Sequence, residues 1–121
     1  MFLVSSNKAR SLLVMNYAGR VERAELRRGL DDLKVLLPEL SPGFRVLADF
    51  STLEAMAIDC ATEIGLAMDM MDERGVGLIV RVMPDVSKDI GLNILSAFHY
   101  DQRPRVVTCG TLGEAARALE L

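Results

Sequence analysis

Short apolar runs alternate with segments of helical periodicity along the whole sequence, and this alternation restricts the fold more than any other feature. Four runs have the length and composition of strands: SLLVMNYAGRV (11–21), FRVLADF (44–50), GLIVRVM (77–83) and PRVVTC (104–109). Strands that alternate with helices through short loops form a largely parallel sheet with right-handed crossovers. We therefore expect an α/β fold, with a mixed and mostly parallel sheet of about four or five strands and about four helices.

The segments between these runs predict the helices. In the first segment, leucines at steps of four and three mark one apolar face: Leu26, Leu30, Leu33, Leu37 and Leu40. A second helix should run from about Asp59 to about Glu73, before Gly75. A third should begin at Ser87 as its N-cap, and its inward face should be formed by Ile90, Ile94, Ala97 and Phe98. TLGEAARALEL predicts a short last helix, and FLV near the start predicts a hairpin partner of the first strand or an edge strand.

Length and charge limit the classes of function. With 121 residues, the chain fits one domain spanning 1–121, large enough to bury a core. The net charge of −3 provides no general attraction for nucleic acid. Arginines crowd the start of the first predicted helix, at Arg20, Arg23, Arg27 and Arg28, but acidic residues are interspersed among them. We favour a solvated helix face there over an anion site.

Cysteine and apolar content indicate a cytoplasmic protein. Cys60 and Cys109 are far apart in the sequence and fit reduced thiols better than a disulfide framework. The chain has one histidine besides these two cysteines, and a structural zinc site needs about four such ligands, so a site of that kind is excluded. The apolar runs are shorter than the ~20 residues that span a bilayer, and the start of the chain lacks the pattern of a signal peptide. We expect no membrane partner.

Catalytic motifs are absent. The sequence contains no dinucleotide-binding glycine fingerprint, phosphate-binding loop or nucleophile elbow. His99 is the one imidazole, and it would have to meet Cys60 or a serine in space to support nucleophilic catalysis. We therefore expect no enzymatic activity and no cofactor.

Methionines cluster around the second predicted helix. Met68 and Met71 share a face with Ile64 and should point inward, whereas Met70 and Leu66 face differently. Adaptable apolar side chains near a surface suit protein partners or apolar ligands. Packing within the core is an equally good explanation.

Three stretches resemble STAS domains, the family of the SpoIIAA-like anti-sigma-factor antagonists. LLVMNYAGRV resembles the family's early strand, and RVLADFSTLEAMAIDC resembles its strand ending in Asp-x-Ser, followed by a loop to an Asp-Ser pair at the second helix. GTLGEAARAL is similar to the closing loop and helix. The order of elements agrees over nearly the whole chain.

The resemblance implies a non-catalytic switch module. In the antagonists, a kinase that is also an anti-sigma factor phosphorylates the serine of the Asp-Ser pair, and the phosphate breaks their complex. Here Asp49 and Ser51 match the strand-end motif and Asp59 matches the aspartate of the pair, but Cys60 occupies the phosphoserine position. The family's glycine two residues later is replaced by Thr62.

Three interpretations of Cys60 remain open. It is a structural thiol at a helix start with Asp59 as N-cap, a redox or modification sensor, or a replaced acceptor whose role moves to Thr62, Ser51 or Thr52. In each case we expect the contact surface at the start of the second helix and the 51–57 loop. Its predicted residues are Asp49, Ser51, Thr52, Met56, Asp59, Cys60, Thr62 and Met70.

The resemblance also implies the class of partner. A protein partner is expected, with an anti-sigma-factor or histidine-kinase-like protein as the candidate, and a homodimer is compatible with the exposed apolar side chains. The alternative is a small-molecule or lipid-binding SpoIIAA-like module. It would use the loops PDVSKDIG (84–91) and GTLG (110–113) with the methionine-lined helix.

Overall fold

The protein has a five-stranded sheet whose strands follow the order of the sequence. The computed structural model describes residues 1–85 and 90–121, except the side chain of Ile90. The strands are β1 (Phe2–Asn7), β2 (Leu12–Val21), β3 (Arg45–Met56), β4 (Leu78–Val82) and β5 (Arg105–Cys109). β1 pairs with β2 antiparallel, and the other neighbours are parallel. The predicted mixed, mostly parallel sheet is confirmed.

In the part of the chain that the structure describes, four α-helices connect or follow the parallel strands. They are α1 (Arg23–Leu36), α2 (Ala61–Arg74), α3 (Ile90–His99) and α4 (Leu112–Ala118). α2 ends as predicted at Gly75, whose φ of 89° is one that glycine adopts without steric cost. The predicted N-cap of α3, Ser87, lies outside the described residues.

The two faces of the sheet are covered unequally. The main core fills the space between one face and helices α1, α2 and α3, with side chains such as Leu13, Leu33, Val46 and Met68. A smaller core packs α4 onto the other face at β4 and β5, through residues such as Val80 and Leu119. Adjacent strand residues point to opposite faces, which is why Leu12 and Leu13 belong to different cores.

Helix α3 is rotated relative to the sequence-based expectation. Ile94 and Phe98 were predicted to face inward, but they are 55% and 77% exposed, and Ala97 is exposed as well. The inward side is formed by Leu92, Leu95, Ser96 and His99, which are buried or half-buried. The prediction for Ile90 concerns a side chain outside the described residues.

Buried Arg81 explains this rotation. Its side chain lies within the apolar strand β4 and is 2% exposed. The guanidinium donates to Asn93 Oδ1 at 2.9 Å and also to the Ser96 hydroxyl. A buried cation requires polar partners, so α3 turns polar side chains toward the sheet and leaves Ile94 and Phe98 outside.

Candidate functional site

Strand β3 extends beyond its neighbour β4. β4 pairs with Arg45–Asp49, whereas β2 continues alongside β3 as far as Met56. The expected loop at 51–57 is therefore wrong for 51–56, which continue the strand. The sequence pattern of STLEAM did not reveal this because its alternation is weak and the pairing with β2 is irregular.

Two irregularities bend this extension. Asn16 pairs with Asp49 and Ala18 with Thr52, so β3 has two residues opposite Tyr17. At a second shift in register, Gly19 pairs with Leu53 and Arg20 with Ala55, so Glu54 has no partner on β2. At the first, Asp49 Oδ1 accepts a hydrogen bond from the Ser51 amide at 2.9 Å. Bulges of this kind increase strand twist and redirect side chains.

The extension borders a cavity of about 440 Å³, which we call the β3 cavity. One wall is formed by residues 50–56 of β3, with the exception of Thr52. The opposite side is formed by Met83, Pro84, Asp85 and Leu92. The Met83 and Leu92 side chains are buried, whereas Glu54 and Asp85 are exposed. The volume lies within the range of ligand pockets, about 300–1,000 Å³. Of the predicted ligand-binding elements, Pro84 and Asp85 contribute; Gly110–Gly113 and α2 are not among the described lining residues.

A 3₁₀ turn, Ile58–Cys60, leads into α2. Ile58 and Asp59 are exposed, whereas Cys60 is completely buried. The prediction that Asp59 caps α2 is wrong, because neither the turn nor the helix has a side-chain cap and the residue preceding the helix is Cys60. The exposed positions near the helix start are therefore those flanking Cys60.

The surroundings of Cys60 disfavour its thiolate. Its Sγ lies 3.8 Å from the Val21 carbonyl oxygen, with the thiol as donor. Burial raises the pKa of the Cys60 thiol, and the negative charge of Asp59 raises it further. A low pKa and solvent access are the properties of a reactive cysteine. The structural interpretation of Cys60 is therefore favoured over the sensor.

A carboxylate from α2 joins two of the arginines on α1. Glu63 Oε1 accepts from Arg23 Nε at 2.8 Å and from Arg27 Nε at 3.2 Å. The hydrogen bond from Arg23 is the main reason that the pKa of Glu63 is lowered. The arginines thus form more than the predicted solvated helix face, although both side chains remain partly exposed.

Helices α2 and α3 enclose a shallow groove lined by Ala61, Thr62, Leu66, Leu95 and His99. Exposed apolar residues lie close in sequence to this lining, with Ile58 just before α2 and with Ile94 and Phe98 next to Leu95 and His99 on α3. We call the groove and these three residues the α2–α3 face. His99 Nδ1 lies 2.7 Å from Asp69 Oδ1. The sequence offered a signal for this face in the spacing of Ile94 and Phe98, but that spacing was interpreted as a buried stripe.

The predicted contact residues are distributed over the β3 cavity and two grooves. Ser51 and Met56 line the β3 cavity, and Asp49 and Thr52 lie on the same strand. Thr62 lines the α2–α3 groove, with Asp59 just before the helix. Met70 lies in a third groove, with Leu37 and Arg74 among its lining residues. Met68 and Met71 are buried as predicted.

The geometry of the described residues provides no nucleophile–base pair from Cys60 and His99. Cys60 contacts a backbone carbonyl, and His99 pairs with Asp69. In residues 1–85 and 90–121, no cluster of histidine, cysteine and carboxylate side chains could hold a metal ion. No helix in the same residues is long and apolar enough to cross a membrane.

Comparison with solved structures identifies the fold. The SpoIIAA-like protein of the DUF3478 family from Shewanella loihica PV-4 gives a TM-score of 0.71 at 11% identity, covering 98% of this chain and 92% of that one. The unphosphorylated anti-sigma factor antagonist SpoIIAA gives 0.68 at 11% identity, covering 99% and 98%. An anti-sigma factor antagonist from Mycobacterium paratuberculosis gives 0.61 at 15%, covering 100% and 94%.

The chain therefore has a STAS, SpoIIAA-like fold, as the sequence motifs predicted. No protein-family model matches the sequence, and no curated protein matches it significantly. At these sequence identities, the structural similarity establishes the fold but not the function.

Proposed function

We propose that residues 1–121 form a single regulatory domain, without catalytic activity, that binds a protein partner through the α2–α3 face. One observation carries the proposal. Ile58, Ile94 and Phe98 are 94%, 55% and 77% exposed, and each is close in sequence to residues that line the groove at the start of α2. Scattered exposed apolar residues are ordinary, but several around one groove are characteristic of an interaction surface.

The fold supports the class of partner. Anti-sigma factor antagonists share it, and such proteins act by binding another protein. An anti-sigma-factor or histidine-kinase-like protein is the partner that this similarity favours. A second copy of the chain could use the same face, because a symmetric dimer pairs one patch with itself.

Control by phosphorylation at position 60 does not belong to this proposal. Cys60 has no hydroxyl, and its side chain is inaccessible. Burial, followed by the negative charge of Asp59, raises the pKa of the Cys60 thiol, and the charge of Asp59 would also oppose a phosphate there. Thr62 and Thr52 are exposed and Ser51 is half-buried, so they remain the alternative acceptors.

The proposed location is the cytoplasm. Cys60 and Cys109 are both unpaired and buried, and reduced thiols are usual in that compartment. Fractionation of cells that express the chain tests this location, and recovery of the protein outside the cytoplasm would contradict it.

Charged substitutions on the α2–α3 face test the interface. Leu66→Asp and Phe98→Asp alter exposed side chains, so the domain should remain folded. Val35→Asp is the matched control, because Val35 is an equally apolar and exposed residue on α1. A substitution at Cys60 would be unsuitable, since a buried charge would unfold the domain rather than test a contact.

Affinity capture from cells that express the chain, followed by mass spectrometry, should recover a partner with the wild type and with Val35→Asp. Recovery should fall by at least about tenfold with Leu66→Asp or Phe98→Asp. Sedimentation velocity of the purified proteins distinguishes self-association. Equal recovery with all four proteins, together with unchanged sedimentation, would reject the α2–α3 face as the interface.

A further inference from the structure

Within residues 1–85 and 90–121, no strand pairs with the end of β3 on the side of β4, where the β3 cavity lies. On the β4 side, pairing stops at Asp49, and β3 continues for seven more residues, Phe50 to Met56. Among residues 1–85 and 90–121, no backbone hydrogen bond joins 51–56 to a loop. Apart from the Ser51 N–H, which donates to Asp49 Oδ1, such a strand edge offers backbone N–H and C=O groups to another extended chain.

Apolar side chains form the floor of this cavity. Phe50, Met83 and Leu92 are buried there, and Leu53 and Met56 are half-buried. An apolar side chain that entered the cavity would be removed from water by these residues. Side-chain pockets beside a free strand edge are the two elements used when a peptide adds a strand to a sheet.

One exposed carboxylate, that of Glu54 on β3, lies at the rim of the cavity. Arg20 of β2 is in register with Ala55, on the other side of β3 from the cavity. The negative charge of Glu54 favours a ligand that carries a lysine or arginine.

We infer that the β3 cavity binds an extended segment of a protein partner, by strand addition to the edge at Phe50–Met56. An apolar side chain of the segment enters the cavity, and a basic side chain lies over Glu54. The inference rests on the proposed function, since it specifies how part of a partner protein is held. It concerns a different surface from the α2–α3 face, so the two can fail separately.

The backbone edge favours a peptide over a lipid or other small apolar ligand. A hydrocarbon chain would fill the cavity but would cover N–H and C=O groups without bonding them, which is unfavourable. An extended peptide covers the same apolar area and bonds these groups. The two occupants can be separated by experiment.

Selection of short random peptides displayed on phage against the immobilised domain supplies the probe. We expect enrichment of proline-free peptides with alternating β-branched residues and at least one lysine or arginine. The best peptide is then synthesised in two forms, one unmodified and one with alternate backbone nitrogens methylated. Methylation removes N–H donors and blocks strand pairing while keeping the side chains.

The unmodified peptide should bind, and amide exchange within 50–56 should slow when it does. Methylation of the peptide nitrogens that face the edge of β3 should weaken binding by at least about tenfold. Ala55→Trp, which fills the cavity from an exposed position, should do the same. Glu54→Lys should weaken binding about three- to fivefold, whereas Glu39→Lys, an equal charge change at an exposed site before β3, should not.

Several results would overturn the inference. They are the absence of any enriched peptide, equal binding of the methylated form, or equal binding to Ala55→Trp. Binding of a fatty acid that Ala55→Trp abolishes, with no peptide binding, would assign the cavity to lipid instead. If Leu66→Asp abolishes partner capture while peptides fail to bind, this inference is wrong and the proposed function stands.

Discussion

Gly65 on α2 and His99 on α3 lie so close that a side chain at position 65 has no room. A Cβ built on Gly65 would lie 2.6 Å from His99 Nε2. His99 is held there by Asp69, one helical turn after Gly65, whose Oδ1 is 2.7 Å from His99 Nδ1. The imidazole therefore packs across the bare backbone of α2, and this contact sets the spacing of the two helices that carry the α2–α3 face.

Gly65→Ala should have opposite effects on stability with and without this imidazole. In the wild type, the new methyl group must displace His99, and overpacking of this kind costs about 1–3 kcal/mol. With His99→Ala already present, the same change should stabilise the domain by about 0.5–1 kcal/mol, because alanine is the better helix former.

Urea unfolding of the wild type, both single variants and the double variant measures this coupling. Gly91→Ala is a useful control, because no atom of residues 1–85 and 90–121 is found within 4 Å of a Cβ there. If Gly65→Ala stabilises the domain equally in both backgrounds, His99 does not set the helix spacing.

The sequence predicted α3 but not its orientation, and the reason is physical. Ile94 and Phe98 have the spacing of a buried stripe, and periodicity gives no information about what lies opposite. The opposing strand contains Arg81, whose partners include Asn93 and Ser96 on α3. Because burial of a charge demands these polar contacts, the arginine determined which side of α3 faces inward.

Two truncations on α3 check this orientation. Leu92→Ala should destabilise the domain by about 2–4 kcal/mol, because Leu92 is buried in the main core. Phe98→Ser should change stability by less than about 0.5 kcal/mol, since the ring is 77% exposed. Urea unfolding of both variants gives the measurement. A larger loss for Phe98→Ser than for Leu92→Ala would restore the orientation expected from the sequence.

The region around β3 shows a similar division between what a sequence pattern can and cannot predict. The strand itself was evident from FRVLADF, but its extension to Met56 depends on irregular pairing with the long strand β2. The motif Asp49–Ser51 was recognisable, and its local hydrogen bond is present. The burial of Cys60 could not be predicted, because it depends on how the turn Ile58–Cys60 packs toward the Val21 carbonyl.

Cys60 should react slowly with thiol reagents. In a Cys109→Ser background it is the single thiol, and its burial and raised pKa both reduce the available thiolate. With Ellman's reagent near neutral pH, labelling should proceed at the rate of local opening and accelerate sharply in denaturant.

Thr62→Cys provides the comparison, in a background with Cys60→Ser and Cys109→Ser. Position 62 is exposed, two residues after Cys60, so its thiol should react much faster. Equal rates for the two thiols would revive the sensor interpretation of Cys60.

Glu63→Gln should lower the stability of the domain at neutral pH and make that stability depend less on pH in the acid range. In the folded domain the pKa of Glu63 lies below its ordinary value of 4.5, chiefly because of the hydrogen bond from Arg23, whereas burial acts in the opposite direction. A carboxyl with a lowered folded pKa stabilises the domain at pH values above its unfolded pKa, and this contribution disappears as acid protonates it. The wild type should therefore be more stable than Glu63→Gln near pH 7, and the difference should shrink below about pH 4.5.

Urea midpoints measured between about pH 3 and pH 7 test this, with Glu39→Gln as an exposed control. A difference between the wild type and Glu63→Gln that stays constant with pH would show that the carboxylate charge contributes nothing to joining α1 and α2.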